Sequence, residues 1–155
     1  MEKLDWMIHY VAPTVDRSKS PAYYYEPYFA NIHTHGLDKY NHRELCICIS
    51  IGQEKAKELL NTLGMRIVHG DVFTEGIRTD ILTNDYDVQF ITFDNDPTLY
   101  MILPDVNNKL PMDSDCEEPY CYQEKYAKLI SDNKDASIED YWQGKVFKTA
   151  KVSEI

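Results

Sequence analysis

Two stretches concentrate the side chains able to do chemistry: Asn31-Ile32-His33-Thr34-His35-Gly36-Leu37 and, after a short polar loop, His42-Arg43-Glu44-Leu45-Cys46-Ile47-Cys48-Ile49. In an extended segment, residues at i and i+2 point to the same side, roughly 6.5–7 Å apart along the backbone. His33 and His35 therefore share one face of a strand. Gly36 ends that strand, and His42, Arg43 and Glu44 lie close to the junction, where binding sites are commonly built. The two imidazoles could supply two metal ligands, with His42 or Glu44 as a third. No His-Glu-x-x-His or comparable series completes such a set, so they read as hydrogen-bonding pocket residues, with no metal and no cofactor expected. Nucleophilic catalysis would need Cys46 or Cys48 exposed beside a base. Both alternate with Leu45, Ile47 and Ile49, a setting in which cysteine behaves as a small buried hydrophobe. Gly64, Gly70 and Gly76 do not have the spacing of a phosphate-binding glycine loop. Nothing among 26 acids selects a carboxylate pair, so no catalytic residue is assigned.

Ligand binding fits these residues better. Twelve tyrosines, five of them between Tyr10 and Tyr28, supply flat amphipathic surface. Aromatic rings stack on nucleobases, and histidine or arginine meets phosphate without the protein being basic overall. The same tyrosines could instead pin a long loop to the core. The candidate binding residues are Tyr23, Tyr24, Tyr25, Tyr28, His33, Thr34, His35, Arg43 and Arg78, for a small anionic or nucleotide-like ligand.

The elements that must position them read as an α+β fold: a mixed, mostly antiparallel sheet of about six strands, one central packed helix (53–63) and C-terminal helical segments. Strands are expected over 6–12, 29–35 and 44–51, the last apolar on both faces and so central. Residues 14–28 read as a loop of turn formers and tyrosines. Ala56, Leu59, Leu60 and Leu63 fall at helical spacing, and Gly64 stands where a left-handed C-terminal cap is expected. Further strands are expected over 77–83, 86–93 and 98–103, the first two joined as a hairpin around Thr83-Asn84-Asp85. Residues 104–119, with three prolines, read as an irregular acidic loop. A second helix should start near Pro119 with Tyr122, Tyr126, Leu129 and Ile130 on one face. The tail from Lys145 should fray or pair at a sheet edge. Leu45, Ile47, Ile49, Leu59, Leu60, Leu63, Phe90 and Ile102 are the expected core.

A chain of 155 residues with 43% hydrophobic content can bury a core without disulfides or metals. It reads as one domain, a core over 6–130 and a C-terminal extension over 131–155. No stretch approaches the ~20 apolar residues of a membrane span, and the charged N-terminus lacks a signal-peptide pattern. A cytoplasmic protein is expected. A net charge of −10 argues against binding duplex nucleic acid, which relies on basic surface. Residues 105–140 carry ten acids against four lysines, a candidate docking face for a basic protein partner. Cys116 and Cys121 lack the histidines of a zinc spacing, and a disulfide is unexpected in the cytosol. The sequence leaves a homo-oligomer open.

Certain residues, taken in order, are similar to the bacterial and phage family catalogued as domain of unknown function 4262. They are His33-Thr34-His35-Gly36-Leu37, Glu44-Leu45, Leu59-Leu60-Asn61-Thr62-Leu63-Gly64, Gly70 with Phe73 and Gly76, Leu103-Pro104-Asp105, Leu110-Pro111-Met112 and Gln123. His33 stands where the resemblance has an aromatic residue and His35 where it has an aliphatic one. Arg43 replaces a common proline, and Leu103 and Met112 replace tryptophans. The resemblance implies a common fold and a similarly placed pocket, and it transfers no catalytic residue. The leading expectation is a non-enzymatic small-ligand-binding protein, most concretely a phage-type counter-defence sponge sequestering a cyclic dinucleotide-like immune signal. An acidic inhibitor or immunity-type protein docking through residues 105–140 is the alternative, and a metal-dependent hydrolase stands third.

Overall fold

The structure, a computed structural model, describes residues 5–14, 29–132 and 149–154. Its elements in chain order are β1 (Met7–Thr14), β2 (Phe29–His35), β3 (Leu45–Ile49), α1 (Gln53–Val68), β4 (Gly76–Arg78), β5 (Val88–Ile91), β6 (Leu99–Ile102), α2 (Gln123–Asp132) and β7 (Thr149–Glu154). The strands form one sheet in the order β4-β5-β6-β3-β2-β1-β7. All pairings are antiparallel except β3 with β6. The α+β class, the mostly antiparallel sheet and the central place of β3 are as the sequence implies. The tail supplies a seventh strand, paired at the β1 edge.

Alternation divides the sheet into two faces. Ile8, Ala30, Ile32, Leu45, Ile47, Leu99 and Met101 are buried with α1 residues Ala56, Leu60, Leu63 and Ile67. Phe29, Cys46, Cys48, Tyr100 and Ile102 are buried with Tyr126, Ala127 and Ile130 of α2. Every expected core residue is buried except Leu59, which is half-buried at the rim of the α1 layer.

Two expected boundaries are wrong for identifiable reasons. Helix α1 does not stop at Leu63 with Gly64 as its cap; it runs to Val68. Gly64 is an interior helical residue, bare because the Trp6 indole packs on it. The left-handed cap is Gly70, with φ 102°. Gly70 N–H donates to the Ile67 carbonyl at 3.0 Å and Asp71 N–H to the Arg66 carbonyl at 2.9 Å, the paired bonds of a Schellman ending. The strand expected over 77–83 stops at Arg78. Asp80 turns out of the ladder to bind the guanidinium groups of Arg66 and Arg78, at 2.6 Å each, so the hairpin to β5 closes through a longer loop.

Candidate site on the imidazole face of strands β1 and β2

Because side chains alternate along β2, Asn31, His33 and His35 face the α2 side while Ala30, Ile32 and Thr34 face α1. Antiparallel pairing sets His9 of β1 directly opposite His33. The His9 and His33 ring centroids are 5.4 Å apart and nearly perpendicular, and His9 and His35 stack at 5.9 Å. Three imidazoles from two strands thus form one patch on the face of the sheet that α2 also packs against. Sequence reading found His33 and His35 and missed His9. The only signal for His9 is its place in the first expected strand, between Ile8 and Tyr10, and that carries weight only once the strand register is known.

Asn31 fixes the chemical form of the His33 ring. Its Oδ1 accepts the Cys46 thiol at 3.2 Å and lies 2.9 Å from His33 Nδ1. A carboxamide oxygen can only accept, so His33 carries its proton on Nδ1 and leaves Nε2 bare. Burial first, then the neighbouring His9 and His35 imidazoles, lowers the His33 pKa from 6.5 to about 4. As pH falls from about 6.5 toward 4, the unfolded chain takes up a proton that the folded His33 refuses, so stability is lost across that window and unaffected above it. His33 should contribute a loss of about 2 kcal/mol between pH 7 and 4.5. Urea midpoints at the two pH values should show that loss reduced in His33→Phe. Parallel profiles for the two proteins would show that His33 is not the refusing group.

Past His35 the patch opens into a cleft of about 960 Å³ between the β2–β3 loop and residues 92–97. Arg43 stands exposed at its wall with Nη1 donating to the Asp96 carbonyl at 3.0 Å, which fixes the guanidinium. Asp38, Phe93 and Asp94 also line the cleft. The Asp96 carboxylate is internal, accepting Thr98 N–H at 2.9 Å and the Tyr100 hydroxyl at 2.5 Å.

The other candidates lie elsewhere. Thr34 is buried on the opposite face, donating to Glu44 Oε1 at 2.9 Å and accepting Leu45 N–H at 2.9 Å. Glu44 also accepts Gly36 N–H at 2.9 Å and Leu37 N–H at 3.0 Å, so it holds the turn after β2 closed. His42 is buried, with Nδ1 2.8 Å from the Arg43 carbonyl and Nε2 accepting Phe73 N–H at 3.0 Å, a staple between two loops. Arg78, on edge strand β4, packs 4.6 Å from the Phe73 ring centroid and pairs with Asp71 and Asp80. Its hydrogen bond to Asp80 is the largest cause raising its pKa. The structure therefore sets His35 and Arg43 on one cleft, with His33 linked to His35 through His9, and does not bring Thr34 or Arg78 to them. Tyr23, Tyr24, Tyr25 and Tyr28 lie outside the described residues.

Burial first, then Cys48, pushes the Cys46 thiol well up, which removes it as a nucleophile near neutral pH. Among the described residues no three His, Cys, Asp or Glu side chains converge as a metal-ligand set. Of the acidic run, Asp105 is turned inward, accepting the N–H groups of Asn107, Lys109 and Glu117 at 2.8–2.9 Å. Asp113 accepts Leu110 N–H at 2.9 Å. Part of that charge therefore folds the loop. No described helix is long and apolar enough to cross a membrane.

Residues 1–117 match the family described as Domain of unknown function (DUF4262), and the chain belongs to it. No curated protein and no solved structure matches the chain.

Proposed function

We propose that this protein is a non-catalytic binder of a small, nucleotide-derived ligand, held between the β1–β2 imidazole patch and Arg43. The observation that carries the reading is the His9–His33–His35 patch opening at His35 into a cleft with an anchored guanidinium. Imidazole rings offer planar surface and directed nitrogens, as recognition of a base requires. Arg43 offers the charge-assisted donors a phosphate requires. Two exposed carboxylates in the same cleft, Asp38 and Asp94, oppose a ligand with many negative charges. A phosphodiester, as in a cyclic dinucleotide, suits this balance better than a triphosphate. Sequestration of such a signal, in the manner of a phage counter-defence sponge, is the role suggested by analogy with small phage proteins of that kind.

Calorimetry with a panel of nucleotides and cyclic dinucleotides tests the reading. Arg43→Ala and His35→Ala should each weaken the best ligand about ten- to a hundredfold, the loss of one charged or well-placed hydrogen bond. The ligand should be recovered chemically unchanged after denaturation of the complex. Product accumulating with time would replace the binder with an enzyme.

A further inference from the structure

Accepting the nucleotide reading, the geometry of the patch also assigns polarity to the ligand. We infer that His33 is a hydrogen-bond acceptor, so that the group docked on the patch is an uncharged N–H or O–H donor, such as the amine edge of a nucleobase, and any phosphate sits at Arg43.

The inference rests on three features of the site. Asn31 Oδ1 holds His33 Nδ1 at 2.9 Å and is itself fixed by the Cys46 thiol at 3.2 Å, so the ring is held in one tautomer with Nε2 unprotonated. Nε2 has no hydrogen-bond partner among the described residues, although the ring is only half-buried. His9 crowds the ring at 5.4 Å and itself stacks on His35 at 5.9 Å. A proton on His33 would add charge near both imidazoles, and burial, then those neighbours, lowers its pKa to about 4. At neutral pH the ring therefore presents a lone pair, and a phosphate oxygen there would meet lone pair against lone pair. Arg43 lies along the cleft with one of its nitrogens anchored on the Asp96 carbonyl. It is the donor suited to the anionic end of the same ligand.

Long-range proton–nitrogen NMR on the ¹⁵N-labelled full chain at pH 7 reads the tautomer directly. His33 should be neutral with its proton on Nδ1 in the free protein. Asn31→Leu should yield mixed tautomers, while Asn31→Asp, which keeps an accepting oxygen, should preserve Nδ1–H. Adenosine should shift the His33 Nε2 resonance, and inorganic phosphate should leave it in place. His33→Phe, which keeps a ring and lacks the lone pair, should weaken adenosine about tenfold. A free-protein His33 protonated on Nε2 would overturn the inference, as would phosphate shifting Nε2. Stoichiometric zinc shifting His9, His33 and His35 together would also overturn it, in favour of a metal site. If His33 is Nδ1–H and no nucleoside or nucleotide of the panel binds, the nucleotide reading alone fails; the acceptor assignment stands, with its donor ligand in another chemical class.

Discussion

Replacing Leu60 by alanine is expected to cost about 2–5 kcal/mol of folding stability, the range for a buried leucine that leaves a cavity. Leu60 is fully buried in α1, in the cluster that includes Leu63, Ile67, Ile47 and Met101. Its isobutyl side chain fills the space between helix and sheet, and rigid strands paired on both sides of β3 cannot collapse far into the gap. The urea midpoint should fall sharply with an unchanged slope, since the surface exposed on unfolding is nearly the same. Leu59, half-buried at the rim, is the control: its truncation should cost clearly less. An unchanged midpoint for Leu60→Ala would mean that this face of the helix does not pack on the sheet.

Much of this packing could be read from residue types alone. Residues 29–35 alternate up to Gly36, and the observed β2 spans Phe29–His35. The uninterrupted Leu45–Ile49 run announces a strand buried on both faces, and all five residues are buried. Local signals failed where a distant residue decided the outcome. Gly64 looks like a cap until Trp6, far away in sequence, is placed upon it. The β4 strand looks longer until Asp80 is claimed by an arginine on α1. His9 looks unremarkable beside His33 and His35 because only strand register brings it to them.

The residues that carry the family resemblance prove to be mainly structural. Thr34 and Glu44 close the turn after β2, and Asp105 organises the loop after β6. Gln123, beyond the matched segment, substitutes for a strand neighbour: its side-chain amide bonds both the N–H and the carbonyl of Leu103, at 2.9 and 2.6 Å. His33, His35 and Arg43 instead occupy positions where the chain departs from the resemblance. The resemblance therefore specifies a scaffold, and on the proposed reading His33, His35 and Arg43 are the residues that would add ligand chemistry to it. This division explains why the fold class was legible in the sequence, while nothing in the residue types showed that Thr34 turns away from His33 and His35 to bond Glu44 and Leu45.

The Trp6–Gly64 contact supplies the sharpest test of that scaffold, because local and tertiary effects have opposite signs there. In an isolated helix Gly→Ala stabilises by about 1 kcal/mol. In this fold an added Cβ would stand 2.4 Å from Trp6 Cζ2 and 2.7 Å from Cε2, far inside van der Waals contact. The indole cannot swing aside freely: it is buried and its Nε1–H donates to Asn61 Oδ1 on α1 at 2.9 Å. Overpacking of a core usually costs 1–3 kcal/mol and occasionally more, and this overlap with ring carbons belongs at the severe end. Gly64→Ala should therefore destabilise by about 2–4 kcal/mol despite its helix propensity. Trp6→Leu alone should also destabilise, by removing buried ring, but adding Gly64→Ala to it should be neutral or stabilising, because the clash is gone. The double-mutant cycle should return a coupling of about 2 kcal/mol or more. Strict additivity, or a Gly64→Ala protein more stable than its parent, would show that Trp6 does not lie on α1 and that the helix needs no bare position there.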